Sequence, residues 1–456
     1  MDSTLAALAD WMPRQRWYAA RGGTPSLRLV AAWDLPPGGT QPGAADGLLE
    51  VRTLLVADEG AVPAVLYQVP IVARATTHVD AAAAHLIGSP EPGTTLVDGV
   101  HDPAYAAALL RLVTVGGEIS GPDATGRGIP AAPRPADEFS PADATVLTGE
   151  QSNTSLIYRA PTPVICKVYR QLHAGLNPDI ELQTALAAGG SPFVPRAIGS
   201  VEGTWPNVAD SQQRDAGSLA FAQEYLPDVE DAWRVALRAA AAGEDFDDSA
   251  RELGRATAQV HLSLAELFRT REPAASDRAA VVDSWHRRLS TAIAEVPELA
   301  DRRGAIEAVY ARAAEAPWPH LQRIHGDYHL GQVIRVPGRG WMLLDFEGEP
   351  MRPMAERVRP DLALRDVAGM LRSFDYVAGS IRLDQPERSP ESVRAWALSA
   401  RTAFLEGYER GSGSTLADHA LLDALELDKA VYEALYETRS RPTWVAIPLR
   451  AIGRLA

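Results

Sequence analysis

The chain has 456 residues, 46% of them hydrophobic and 23% charged, which suits a globular protein of two or three domains. Its formal net charge of −15 argues against nucleic acid or an anionic membrane surface as a partner, and no run approaches the roughly 18 apolar residues that a membrane helix needs. Cys166 is the one cysteine, so an internal disulfide is excluded. Met1–Asp10 has neither the basic start nor the apolar stretch that directs export, so a cytoplasmic enzyme is expected. Of 44 basic residues only two are lysine, Lys167 and Lys429. An ammonium is a compact point charge and a guanidinium a wide fork, so lysines retained in patterned segments are candidates for chemistry.

Residues 1–115 are expected to form a small α+β domain. It has a helix at Leu5–Trp11, strands at Ser26–Ala32, Gly47–Val56 and Ala61–Pro70, and helices at Ala81–Ile87 and Pro103–Val113. Residues 116–144 are rich in Gly, Pro, Asp and Ala without periodicity and suggest a linker. In residues 145–226, Val146–Arg159 and Pro163–Arg170 form two strands around a polar turn, with Lys167 near the end of the second. The turn has one glycine, so Ser152, Asn153 and Thr154 would supply hydroxyls and backbone N–H groups to phosphates. An ammonium on an apolar strand needs partners: nucleotide phosphates, and a carboxylate for which Glu181 on the following helix is the candidate. That helix begins at Asn177-Pro178, a cap followed by proline in the first turn. Strands at Val194–Gly203 and Leu219–Tyr225 flank a polar loop.

From residue 227 onward the pattern turns helical, with stripes at Ala232–Ala242, Ser249–Phe268, Ala279–Val296 and Gly304–Ala314. His261 suits a core position better than a catalytic one. Two short apolar strands follow, Leu321–Ile324 and Trp341–Asp345, each ending in a polar site. The first runs into HGDYHLGQ and the second into DFE. An aspartate, an amide five residues on and a second aspartate 18 residues after the first are what phosphoryl transfer uses. Asp327 is the candidate base, and Gln332 and Asp345 are candidate Mg²⁺ ligands, with Glu347 a possible addition. Asp361 and Asp366 suit structural roles, and Arg352 suits a partner to a carboxylate of the site. Further helices are expected at Val367–Ala378, Pro390–Gly411 and Leu416–Ser440. On the last, Lys429, Glu433 and Glu437 share one face, with Tyr432 and Tyr436 beside them. That face suits either a salt-bridge ladder or a sugar platform.

HGDxHxxN is the catalytic loop of the aminoglycoside phosphotransferase and choline kinase-like family, which shares the protein-kinase fold. This chain resembles that family, with Gln332 in place of Asn. HGDYHLGQV followed by LLDFEGEPMRP is similar to the actinobacterial maltokinase and glucosamine kinase branch. So are Pro13–Tyr18 in the first domain, Asn177–Glu181, and the C-terminal DKAVYEALYETRSRPTW. The resemblance implies a protein-kinase-like bilobal α+β fold with an N-terminal cap domain at 1–115 and a linker at 116–144. A nucleotide lobe at 145–226 and a helical catalytic lobe at 227–456 complete it. Gln223, Glu224, Tyr225 and Leu226 would meet adenine there, with ATP and Mg²⁺ as cofactors. His329, Lys429, Tyr432, Glu433, Tyr436 and Glu437 would line the sugar beside Asp327. The implied reaction is ATP-dependent phosphorylation of maltose to maltose 1-phosphate, or of an amino sugar such as glucosamine, by a monomer or homodimer. The family's lysine in the cap turn is absent from Tyr18–Gly22. A non-catalytic regulator binding nucleotide or sugar is the remaining reading.

Overall fold

The computed structural model describes all residues except 1, 20–22, 37–44, 81–84, 134–135, 140–142, 148–151, 350–351, 414 and 417–418. The chain divides into two units, Met1–Thr184 with Pro195–Pro227, and Ala185–Val194 with Asp228–Ala456.

The first unit opens with α1 (Asp2–Trp11) and strands β1 (Leu27–Asp34), β2 (Leu48–Asp58), β3 (Val65–Ala75), β4 (Leu86–Glu91) and β5 (Thr94–Asp98). The strands form an antiparallel sheet in the order β1-β2-β3-β5-β4. Alternation places Tyr67, Val69 and Ile71 of β3 on one face, where they pack with Leu8, Trp11, Trp17 and Tyr18. Each such side chain contributes about 1.5–3 kcal/mol by leaving water. The expected helix at Ala81–Ile87 is corrected: Leu86–Glu91 is strand β4, paired to β5, and 81–84 lie outside the described residues. Helix α2 (Pro103–Val115) starts where Asp102 accepts from the Ala104 N–H, with Pro103 in the first turn.

A second sheet follows, built from β6 (Gly117–Ser120), β7 (Thr125–Pro130), β8 (Asp143–Val146), β9 (Asn153–Arg159) and β10 (Val164–Tyr169). After α3 (Pro178–Ala188), β11 (Ala197–Pro206) and β12 (Arg214–Glu224) complete the order β6-β7-β11-β12-β10-β9-β8. Residues 116–144, expected as a linker, therefore supply β6 and β7 to this sheet. Their pairing lies with β11, some 70 residues on, which local periodicity does not show. The two sheets are joined because the first half of β3, beyond the stretch paired with β5, bonds along its edge to residues 170–172. Gln68 donates to the Tyr169 and Leu219 carbonyls at 2.9 Å, and the Leu172 N–H donates to Leu66 O at 2.9 Å.

The second unit is mostly helical. It comprises β13 (Glu230–Asp231), α4 (Ala232–Ala242), α5 (Asp247–Leu267), α6 (Ala275–Glu295), α7 (Arg303–Glu315), β14 (Val333–Val336) and β15 (Gly340–Leu343). Then come α8 (Met354–Arg357), α9 (Leu364–Asp384), α10 (Pro390–Ser412), α11 (Ala420–Ser440) and α12 (Ala446–Leu455). Leu321–Ile324 is not a strand; Leu321 and Gln322 make isolated bridges to Arg271 and Asp361. No helix among the described residues is long and apolar enough to cross a membrane.

Candidate active site

In the first unit the β9–β10 hairpin presents Lys167, paired in register with Ser155 and Phe221. Its Nζ lies 3.2 Å from Oδ2 of Asp179, which is buried in the first turn of α3. The Asn177 side chain caps that turn by accepting from the Asp179 N–H at 2.9 Å. Asp179 thus places a carboxylate on Lys167, two residues before the expected Glu181, which stands half-buried on the same helix. Ser152 is exposed and Asn153 half-buried, but Thr154 is buried, and its hydroxyl accepts from Arg170 Nε at 2.9 Å. The Thr154 side chain therefore serves the fold rather than an outside phosphate. Gln223, Glu224, Tyr225 and Leu226 are half-buried. The Glu224 and Tyr225 N–H groups are taken by the Arg196 and Pro163 carbonyls, both at 2.9 Å, and Gln223 accepts from Gln183.

In the second unit Asp327 sits on a loop clamped from behind. The buried Asp366 carboxylate accepts from the His325 N–H at 2.8 Å and the Gly326 N–H at 2.9 Å. It also meets His261 Nε2 at 3.0 Å, while His261 Nδ1 meets the Tyr408 hydroxyl at 3.0 Å. Burial raises the Asp366 carboxyl, but the His261 hydrogen bond and charge outweigh it and hold it below its ordinary value. The Tyr328 hydroxyl bonds Thr257 at 2.8 Å, and the Leu330 N–H donates to Ser373 at 3.1 Å. Gly369 on α9 lets the loop lie close, since a Cβ there would stand 2.5 Å from Tyr328 O. Burial pulls His329 below its ordinary value, against Asp327, and its Nδ1 accepts from the Gly331 N–H at 3.0 Å. That leaves the neutral ring its Nε2–H as a donor.

Leu344 hydrogen bonds Gln332 backbone-to-backbone at 2.9 Å, which brings the two polar sites of this region together. The Gln332 amide lies 3.2 Å from Asp345 Oδ2. A carboxylate oxygen of Glu347 lies within 4.8 Å of one of Asp345. Asp345 has φ 65°, a left-handed conformation rare for a residue with a Cβ and found where a site demands it. Carboxylates and an amide carbonyl are the donor set of a hard cation, and Mg²⁺ takes one or two carboxylates beside water and phosphate. Gln332, Asp345 and Glu347 fit that ion.

Beside the loop lies a cavity of about 550 Å³, lined by Gly326, Tyr328, Glu349, Asp428, Lys429 and Tyr432 among others. Lys429 Nζ is 2.8 Å from Glu349 and 3.8 Å from Asp327 Oδ1. Burial by itself would lower this ammonium, but Glu349 and Asp327 prevail and hold it at about 12. Likewise Lys429 and Arg352 overcome burial and draw Glu349 down to about 2. Tyr432 and Tyr436 stack at 6.5 Å, half-buried and exposed respectively.

The two glutamates expected on the sugar platform are paired inside the chain. Glu433 is buried and meets Arg372 of α9 at 2.7 Å; Glu437 is buried, meets Arg441 at 2.6 Å and accepts from the Tyr376 hydroxyl at 2.9 Å. Burial pushes the Glu433 carboxyl up against the pull of Arg372. Spacing showed that these residues share a face with Lys429, but not that α9 covers it below Lys429. Sequence reasoning also passed over Asp179, Glu349 and Asp428, and took Asp366 as structural without its target. Asp179 had a signal, the Asn-Pro-Asp helix start; the others had none, because their partners lie 40 to 140 residues away. Arg352 does pair with a carboxylate of the site, Glu349, at 3.0 Å.

Two family models match the chain, the maltokinase N-terminal cap domain over residues 11–102 and the phosphotransferase enzyme family over residues 143–425. A glucosamine kinase of Streptacidiphilus jiangxiensis is 34% identical over 60% of this chain and 64% of its own, slightly under two thirds. A glucosamine kinase of Mycolicibacterium smegmatis is 30% identical over 68% of this chain and 78% of its own. A solved glucosamine kinase in complex with glucosamine, ADP and inorganic phosphate shares the fold at TM-score 0.69 and 24% identity, covering 98% of both chains. Another crystal form matches at TM-score 0.68 and 26% identity, covering 94% of both chains.

Proposed function

Because the chain belongs to the phosphotransferase enzyme family and carries a maltokinase-type N-terminal cap domain, we propose that it is an ATP-dependent kinase of a sugar hydroxyl. Glucosamine is the first acceptor to consider, since the two relatives described above carry that name. Maltose is the second, favoured by the cap. The carrying observation is Asp327, held by its backbone loop beside a cavity of about 550 Å³ large enough for a sugar.

In this reading Asp327 accepts the proton of the acceptor hydroxyl as that oxygen attacks the terminal phosphorus of ATP. The bond from phosphorus to the bridging oxygen breaks, and ADP leaves with the electron pair. Lys429 places a positive charge 3.8 Å from the Asp327 carboxylate. His329 offers its Nε2–H to the sugar. Lys167, steadied by Asp179, holds nucleotide phosphates, and Gln332, Asp345 and Glu347 hold Mg²⁺. The ion supplies charge neutralisation on the phosphates. An enzyme using ATP, with one buried thiol, suits the cytoplasm.

The test is an acceptor panel of glucosamine, maltose, glucose and an aminoglycoside, scored by ADP release and product mass. A phosphorylated glucosamine supports the first reading. Turnover of maltose with none of glucosamine replaces the acceptor and keeps the chemistry. No Mg²⁺-dependent ADP release with any of them rejects a sugar kinase.

A further inference from the structure

Arg357, the last residue of α8, follows the DFE motif by ten residues and has no role assigned above. Its stem lies across Gly348. A Cβ on that glycine, whose φ is 73°, would stand 3.6 Å from Arg357 Cβ and Cγ and 3.7 Å from Cδ. Gly348 lies in turn against Gly326, where a Cβ would stand 3.2 Å from the Gly348 Cα. Gly326 beside Asp327, Gly348 beside Glu347 and the Arg357 stem therefore stack in three layers. The Arg357 Nε–H donates to the Arg352 carbonyl at 2.8 Å, which orients the half-buried guanidinium. Burial lowers this guanidinium from its ordinary value and outweighs the opposing attraction of Glu347 and Asp327. The cation is thus less favourably placed than in water, and an arriving anion improves its surroundings.

We propose that Arg357 is a catalytic residue whose guanidinium contacts two equatorial oxygens of the phosphoryl group in transit from ATP to the acceptor. The inference rests on the sugar-kinase reading and adds one group to its chemistry. An in-line transfer carries the phosphorus from metal-held phosphates, at the Asp345 and Glu347 end, to the acceptor oxygen at Asp327. A cation that feels both Glu347 and Asp327, and whose stem is layered on the glycines beside them, borders that path. The charge of the migrating group is spread over its equatorial oxygens, and a guanidinium is a planar fork able to meet two of them at once. Lys429 is the other cation near Asp327, but its ammonium is 2.8 Å from Glu349 and lines the acceptor cavity.

The experiment compares the full wild-type chain with Arg357→Ala and Arg357→Lys. It uses initial-rate kinetics on whichever of glucosamine and maltose the wild type phosphorylates, a Mg²⁺ titration of the rate, and calorimetric binding of ADP with Mg²⁺. For Arg357→Ala the expected kcat is lower by about 10²–10³-fold. The acceptor KM, the ADP Kd and the Mg²⁺ concentration for half-maximal rate should stay within about threefold of wild type. A kcat within about threefold of wild type overturns the assignment and leaves the kinase reading standing. A loss that falls on KM or ADP affinity instead does the same, because it moves Arg357 to ground-state binding. So does a raised Mg²⁺ requirement, because Arg357 then acts through Glu347. Should Arg357→Ala melt below the assay temperature, Arg357→Lys decides. It keeps the charge and loses the fork, so kcat should fall at least tenfold at an unshifted melting temperature; full turnover overturns the two-oxygen contact. If wild type releases no ADP with either sugar, the kinase reading fails and this assignment fails with it.

Discussion

At the scale of single residues, the proposed reactive group is a carboxylate whose company is mixed. Asp327 has Lys429 at 3.8 Å, and Lys429 is itself committed to Glu349 at 2.8 Å. Replacing Asp327 with Asn removes the proton acceptor and keeps its shape. ADP release should fall by about 10²–10⁴-fold with the melting temperature unmoved; retention of full turnover would remove Asp327 from the mechanism. Glu349 carries the clearest pH signature. Its carboxyl is drawn from an ordinary 4.5 to about 2 in the folded chain, so the folded state holds its proton more weakly than the unfolded one. Its stabilisation is therefore complete above about 4.5 and disappears as pH falls toward about 2. Thermal melts of Glu349→Gln should lie below wild type at pH 7, and the gap should narrow below pH 4.5. A gap independent of pH would mean that the charge is irrelevant.

At the scale of elements, α9 does most of the positioning. Asp366 holds the His325–Gly326 backbone and Gly369 admits the Tyr328 carbonyl. Gly369→Ala puts a methyl 2.5 Å from that oxygen, so the loop must move; turnover should drop at least tenfold while sugar-independent ADP binding survives. The same helix receives α11 through the buried Arg372–Glu433 ion pair and the Tyr376–Glu437 hydrogen bond. Glu433→Ala leaves Arg372 with Asp375 alone and should destabilise the chain by about 3–5 kcal/mol. The acceptor KM should stay within twofold, measured with initial-rate kinetics beside a denaturation curve. A large KM change at constant stability would return Glu433 to the sugar.

At the scale of the whole molecule, the cap domain and the second sheet lie within the first unit. Arg170, three residues after Lys167, is fully buried; it meets Asp98 of the cap at 2.7 Å, Thr154 at 2.9 Å and the Trp17 ring at 4.9 Å. Taking away Asp98 strands a buried guanidinium. Asp98→Ala should destabilise the unit by about 3 kcal/mol or more, read as a lowered melting temperature. An unshifted melt would show that the cap and sheet are coupled by apolar contact only.

Much of this was legible in the chain, and for a definite reason. Helices α4, α5, α7 and α10 follow from their 3.6-residue periodicity, and Asp327, Gln332 and Asp345 are proposed from an order of polar groups after short apolar runs. Those signals are local, written within about 20 residues, and local backbone preference reads them directly. What stayed hidden depends on pairing across long stretches. That 116–144 joins a sheet, that Leu86–Glu91 is a strand, that Asp179 reaches Lys167, and that Glu433 and Glu437 turn inward are decided by what lies opposite. The sequence alone determined which chemistry is present and in what order. Only the tertiary structure decided which carboxylates meet arginine in the interior and which remain for a substrate, because burial and partnership are properties of the packed chain and not of any segment of it.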